Sequence, residues 1–188
     1  MDATTTATVP PPWATDFDSL VENLGIPHRA KHAHWTLLGA GAQAVPALKQ
    51  GLSHPNPTVR AAVCVILDHC LEEDCIPALR ANLTHEDEAV RAWAIHALAC
   101  DRCKEGSCRP GEDDTIPVAV DMMLNDPSAL VRSRAIALVG ESVHRRPASI
   151  DALRQALETE PSPGNRKIVR WWLPGGPRFE RTKPKRSS

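Results

Sequence analysis

Four arginines recur along the chain, each near the head of a similar segment. They read Val59-Arg60-Ala61-Ala62-Val63, Val90-Arg91-Ala92-Trp93-Ala94, Val131-Arg132-Ser133-Arg134-Ala135 and Asn165-Arg166-Lys167-Ile168-Val169. Seven residues after each arginine stands an apolar residue: Leu67, Leu98, Val139 and Leu173. Recurrence of this kind marks one supersecondary unit copied in tandem. A single copy cannot bury its apolar face alone, so the copies must stack on their neighbours.

The unit reads as two helices. The first opens at a proline among apolar residues: Val45-Pro46-Ala47-Leu48, Ile76-Pro77-Ala78-Leu79 and Ile116-Pro117-Val118-Ala119. Proline suits a first helical turn, where its missing N–H would lack an intrahelical partner anyway. Polar turns follow at Ser53-His54-Pro55-Asn56-Pro57, Thr84-His85-Glu86-Asp87 and Asn125-Asp126-Pro127-Ser128, all turn-forming and capping residues. The second helix then starts at the Val-Arg pair. The arginines lie 31, 41 and 34 residues apart, and the prolines 31 and 40. Both rulers place an insertion of about ten residues between Leu98 and Pro117.

Composition agrees with helices. Aromatics are 4% of the 188 residues, tyrosine is absent, and the 42% hydrophobic content is mostly Ala, Leu, Val and Ile. That mix favours close helix packing over a strand-built sandwich. The formal net charge of -1 makes the bulk chain neither a polyanion binder nor an acidic tail. No apolar run reaches bilayer length, and Met1 to Pro12 carries no basic residue ahead of an apolar stretch. The expected compartment is the cytoplasm, with the six cysteines reduced or metal-bound.

Residues 1–12 are expected to be a disordered segment, 13–176 the repeat domain with a cysteine-bearing insertion at 99–114, and 177–188 a basic disordered tail. Trp13 to Leu24 is expected to form a first helix with Asp16 as its cap, covering the open end of the stack. Arg29 to Leu38 serves as a second helix with Ala33 and Leu37 in the core columns. In the last unit, a first helix over Ile150 to Leu157 precedes one that ends at Trp171-Trp172-Leu173 before Pro174.

The pattern from Pro46 to Arg60, repeated at Pro77 to Arg91 and Pro117 to Arg132, resembles the HEAT repeat family. It is most similar to the short HEAT-like repeats first named from phycobilisome lyases. The resemblance covers roughly residues 27 to 174 and implies an all-α, right-handed α-solenoid of about four to five two-helix repeats. Members of the family include scaffolds, adaptors, assembly factors, a few lyases and some DNA-repair glycosylases. The arginine opening the second helix usually bonds there to the preceding turn and the neighbouring repeat. Arg60, Arg91 and Arg132 match that position, and Arg166 matches it less closely because Asn165 replaces the valine.

The insertion carries Cys100, Cys103 and Cys108. A Cys-x2-Cys pair can grip one zinc ion, since the intervening turn points both sulfurs inward, and a structural site wants four ligands. Repeat geometry nominates Cys75 as the fourth, then Cys70, then His96, which lies one turn before Cys100. Inert reduced thiols and a disulfide-shuttling pair are the other readings. Cys64 falls in a core column and reads as a small buried hydrophobe.

Second helices line the inner, concave side of such a solenoid. The columns expected to face away from the core hold His32, Trp35, Val65, Trp93, His96, Ser133, Arg134, Lys167, Ile168 and Trp171. Tryptophan and arginine are favoured interface anchors, so this column set reads as a groove for a protein or peptide, with gap-filling by Trp93 or Trp171 as the alternative. No nucleophile–base spacing or phosphate loop accompanies His32, His34 or His96. Basic residues from Lys167 to Arg186 crowd Trp171 and Trp172, which raises nucleic acid as a lesser possibility, offset by Glu72, Glu73, Asp74, Glu86, Asp87 and Glu88. The expectation is a non-enzymatic scaffold, adaptor or assembly factor. It would grip its partner through Trp35, Trp93, His96, Arg134 and Trp171, with one zinc ion bracing the insertion. A lyase-like or thiol-redox enzyme and a nucleic-acid binder stand as the alternatives.

Overall fold

The computed structural model describes residues 16–99 and 110–184. The segment 1–12, the cysteines Cys100, Cys103 and Cys108, and the last four residues lie outside the described residues. Among the described residues there are eleven α-helices and no strand. Five hairpins follow one another: α1 (Phe17–Asn23) with α2 (Pro27–Ala40), α3 (Val45–Gly51) with α4 (Pro57–Cys70), α5 (Ile76–Ala81) with α6 (Glu88–Ala99), α7 (Glu112–Asn125) with α8 (Ala129–Glu141), and α9 (Ala148–Thr159) with α10 (Pro163–Trp172). A short α11 (Pro177–Thr182) closes the chain. The second helices α2, α4, α6, α8 and α10 pack side by side in chain order, which makes the molecule an α-solenoid.

Local sequence sets these boundaries. Asp16 caps α1, its carboxylate accepting from the Ser19 N–H at 2.7 Å. The second helices α4, α6, α8 and α10 each carry a capping side chain four residues before the arginine: Asn56, Asp87, Ser128 and Ser162. Each satisfies a first-turn N–H that has no intrahelical partner. Pro46 and Pro77 sit in the first turn of α3 and α5, as the proline ruler predicts.

The core runs as one strip from hairpin to hairpin. Ala33, Leu37, Leu48, Val63, Leu67 and Leu79 are buried in its first half; Ala119, Met123, Val139, Leu153 and Val169 in its second. Helix α6 joins the halves, with Ala94 and Ala97 facing backward and Ala92 and Ile95 forward. Three of the four expected column residues, Leu67, Leu98 and Val139, are buried, while Leu173 is half-buried at the open end.

Two boundaries differ from expectation. Helix α7 begins at Glu112, so Pro117 lies inside it rather than at its start. The acidic run Glu112-Asp113-Asp114 occupies its first turn, where negative charge favours the exposed N–H groups. The tail expected to be disordered from 177 instead forms α11. Gly175 (φ 87°) turns the chain back. Gly176 lets the backbone pass the Arg170 carbonyl so closely that an added Cβ would lie 2.2 Å from its oxygen. Phe179 then packs against the second half of the core and against the His144 ring, 4.4 Å between centroids.

Candidate functional site: the second-helix face

The repeated arginines are consumed by the scaffold. Each guanidinium grips the carbonyls of its own preceding turn: Arg60 those of Ser53 and His54, Arg91 those of His85 and Glu86, Arg132 those of Asp126 and Pro127, Arg166 those of Glu160 and Pro161. The first three also reach into the next hairpin. Arg60 donates to Asn82 Oδ1 at 3.0 Å, Arg91 to both Asp126 oxygens at 2.8 and 2.9 Å, and Arg132 to both Glu160 oxygens at 2.8 and 2.9 Å. Paired, nearly parallel N–H···O⁻ bonds are the strong form of this interaction. Asn165, in the place of the valine, is buried and donates to the Ala129 carbonyl at 2.9 Å, so its polarity is a rung of the same scaffold.

With those arginines accounted for, the outward columns of the second helices remain. Trp93 and His96 lie three residues apart on α6 and meet edge to face at 5.5 Å. Arg134, on the next second helix, lays its guanidinium over the Trp93 ring at 4.2 Å. Three of the five expected anchors therefore form one contiguous cluster, each half-buried. His96 Nε2 also faces Asp68 Oδ2 at 3.3 Å, which places a buried carboxylate behind the imidazole. Trp171 is half-buried, with the Lys167 ammonium and the Arg178 guanidinium each 5.5 Å from its ring. Trp35 stands apart at the other end of the stack and is 62% exposed, a large apolar ring in water. Its neighbour His34 meets it edge to face at 5.3 Å. Burial, and then the nearby His69, hold His34 below the ordinary histidine range.

Between the aromatics the matching positions are small. Ala62 and Val65 occupy on α4, and Ala137 on α8, the places that Trp93, His96 and Trp171 fill elsewhere. All three small residues are half-buried. The face thus alternates rings with recesses. Trp172 has the opposite fate from Trp171. It is 2% exposed, and its indole lies on Gly140, where an added Cβ would sit 2.3 Å from ring atoms. Column spacing assigns Trp172 no role; the glycine one repeat earlier on α8 is the signal in the sequence for its burial.

The cysteines within the described residues are all held locally. Cys64 is fully buried, and burial pushes its thiol up to about 12. Burial likewise pushes Cys70 up to about 11 and, together with the Asp74 carboxylate, Cys75 up to about 11. The Cys70 thiol points at the Ile66 carbonyl and the Cys75 thiol at Asp74 Oδ1, at 3.5 and 3.6 Å. Of the three nominated fourth ligands, His96 is engaged by Asp68 and Trp93. Among the described residues no group of three or more His, Cys, Asp or Glu could hold a metal ion.

A separate cavity of about 730 Å³ opens between α7, α8 and α11, with Ile116, Leu138 and Trp172 in its lining beside His144, Arg178 and Arg181. His144 is committed there, its Nε2 lying 2.9 Å from the Phe179 carbonyl oxygen. No helix among the described residues is long and apolar enough to cross a membrane.

No curated protein matches the chain. A family model for HEAT repeats matches residues 45–139, which span α3 through most of α8 and just over half of the chain. Stacked two-helix units, an arginine rung at the head of α4, α6, α8 and α10, and this match agree: the chain belongs to the HEAT repeat family.

Proposed function

We propose that the chain is a non-enzymatic protein-binding scaffold, an adaptor or assembly factor. Its second-helix face would be the concave groove that holds a peptide or partner helix, through Trp35, Trp93, His96, Arg134 and Trp171. The observation that carries this reading is the exposure of Trp35 together with the half-buried Trp93–His96–Arg134 cluster. Rings left accessible on a rigid scaffold, with recesses between them, are what a docking surface needs. HEAT repeats commonly mediate protein contacts, which supports the same conclusion. The closer likeness to phycobilisome-lyase-type repeats belongs to this proposal and rests on the pattern from Pro46 to Arg60 and its counterparts at Pro77 to Arg91 and Pro117 to Arg132.

The three thiols within the described residues are held in their protonated, poorly nucleophilic form, which weighs against a redox or lyase role for them. For the insertion, one zinc ion on Cys100, Cys103 and Cys108 remains the proposal, with Cys75 as fourth ligand; Cys75 would have to give up its proton to join it.

Panning a random peptide library on the purified chain tests the docking reading. Peptides selected on the wild-type chain should lose about tenfold or more in affinity on Trp93→Ala, with circular dichroism unchanged. A library that yields no binder, or binders indifferent to Trp35, Trp93 and Trp171, would remove the groove.

A further inference from the structure

The near-zero net charge of the chain conceals a sorting of charge between its two helical layers. The second helices carry nine Lys and Arg side chains against three carboxylates, Asp68, Glu88 and Glu141. The first helices carry eight carboxylates against three Lys and Arg. Helices α2 and α10 hold no carboxylate at all, and α1 and α7 hold no lysine or arginine.

Five of the nine are spent within the scaffold: Arg60, Arg91, Arg132 and Arg166 on the turns and hairpins described above, and Arg29 on Asn23. Arg134, Lys167 and Arg170 carry the charge of the outward columns. Arg134 lies over the Trp93 ring and makes no hydrogen bond to any described residue. Stacking covers the face of a guanidinium but leaves its N–H edge free to donate, in a geometry that fits a carboxylate. Lys167 stands over Trp171 without a hydrogen bond to a described residue, and Arg170 is exposed one turn on. The three carboxylates of the layer do not neutralise this strip. Asp68 is buried behind His96, Glu88 is bonded to the Ser128 hydroxyl at the head of α6, and Glu141 sits at the far end of α8.

We propose that the segment which docks on this face is an acidic amphipathic helix, whose apolar stripe meets Trp93 and Trp171 and whose carboxylates meet Arg134 and Lys167. This rests on the docking reading above and adds the chemistry of the partner. Apolar side chains of such a helix fit the recesses at Ala62, Val65 and Ala137, while its carboxylates find donors already fixed by stacking. A nucleic acid is the poorer fit. Glu72, Glu73, Asp74, Glu86 and Glu88 are exposed along the edges of the second and third hairpins. They repel a continuous polyanion more than a segment with spaced carboxylates.

The test uses the full chain and three labelled helical peptides of about 18 residues, long enough for five turns. They share one apolar stripe and carry Glu, Gln or Lys at the polar positions; a single-stranded oligonucleotide is the fourth probe. Anisotropy should show the Glu peptide binding at least about tenfold more tightly than the Gln peptide, and the Lys peptide not at all. On the double variant Arg134→Ala with Lys167→Ala, the Glu and Gln peptides should bind with equal affinity, so that the gap of about tenfold between them is lost. Added salt, from about 50 to about 500 mM, should close the same gap. Glu and Gln peptides binding equally, both weakened by Trp93→Ala, would overturn the acidic partner and keep the docking face. No binding by any peptide would overturn both. An oligonucleotide that binds more tightly than the Glu peptide would replace the acidic helix with nucleic acid.

Discussion

Arg132 holds Glu160, 28 residues ahead, with two hydrogen bonds of 2.8 and 2.9 Å, and both side chains are nearly excluded from water. Burial alone would raise the Glu160 carboxyl. The Arg132 guanidinium and the Ser162 N–H outweigh it and hold the group below the ordinary carboxylate range. A depressed folded-state value contributes stability above the unfolded value, and that stability is lost as pH falls through the folded one. Glu160→Gln should therefore cost about 3 kcal/mol near neutrality, because it strands a buried guanidinium. It should also flatten the fall in stability below about pH 5, where the wild-type carboxylate takes up its proton. Urea melts at several pH values measure both; an unchanged acid slope would deny the linkage.

The arginine rungs differ in reach, and their removal should differ in cost. Arg91 makes two bonds to Asp126 as well as its own-turn bonds, whereas among the described residues Arg166 bonds only to the Glu160 and Pro161 carbonyls. Arg91→Ala, which leaves the Asp126 carboxylate buried and unpaired, should cost about 3 kcal/mol or more. Arg166→Ala should cost about 1 kcal/mol. Equal losses in thermal or urea unfolding would mean that the bridges between hairpins add nothing beyond the local turn.

Gly140 has no room for a side chain. An added Cβ would sit 2.3 Å from the indole of Trp172. Gly140→Ala should destabilise by about 2 kcal/mol through overpacking, although alanine is the better helix former. Trp172→Ala should cost about 4 kcal/mol by opening a cavity. If the pair is one contact, the double variant will cost clearly less than the sum of the two singles, as a double-mutant cycle would show.

Thiol chemistry separates the cysteines. Cys64 and Cys75 are fully buried and pushed up to about 12 and about 11, so neither should react with a water-soluble disulfide reagent near pH 8 until the chain unfolds. Elemental analysis of the same sample addresses the insertion. One zinc per chain, with protection of Cys100, Cys103 and Cys108 lost on chelation, is the expected outcome; a metal-free chain with those three thiols freely reactive would refute the zinc site.

Much of this architecture could be read before any coordinates. The Val-Arg pairs and the prolines Pro46 and Pro77 revealed the two-helix unit and a count of about four to five, because each marks a position with one structural duty: a rung, or a first turn. Asp16, Ala33 and Leu37 fell in their expected places for the same reason. Columns also placed Trp93, His96 and Arg134 together, since side chains three and four apart share a helix face. What escaped was anything set by close packing between units. Column spacing turns Trp171 outward but says nothing of the close seat that Gly140 leaves for the Trp172 indole. Helix α11 escaped too, because one phenylalanine in a basic stretch is a weak periodic signal, and it is the turn at Gly175 and Gly176 that lets Phe179 reach the core.

The rungs all point the same way. Arg60, Arg91 and Arg132 each extend toward the C-terminus and close on a hairpin later in the chain, while among the described residues Arg166 bonds only to its own preceding turn. The chain therefore has a grain. Peeling its C-terminal hairpin away breaks the Arg132–Glu160 clasp, whereas peeling from α1 leaves all three clasps intact. Pulled from opposite ends, the molecule should yield at different forces.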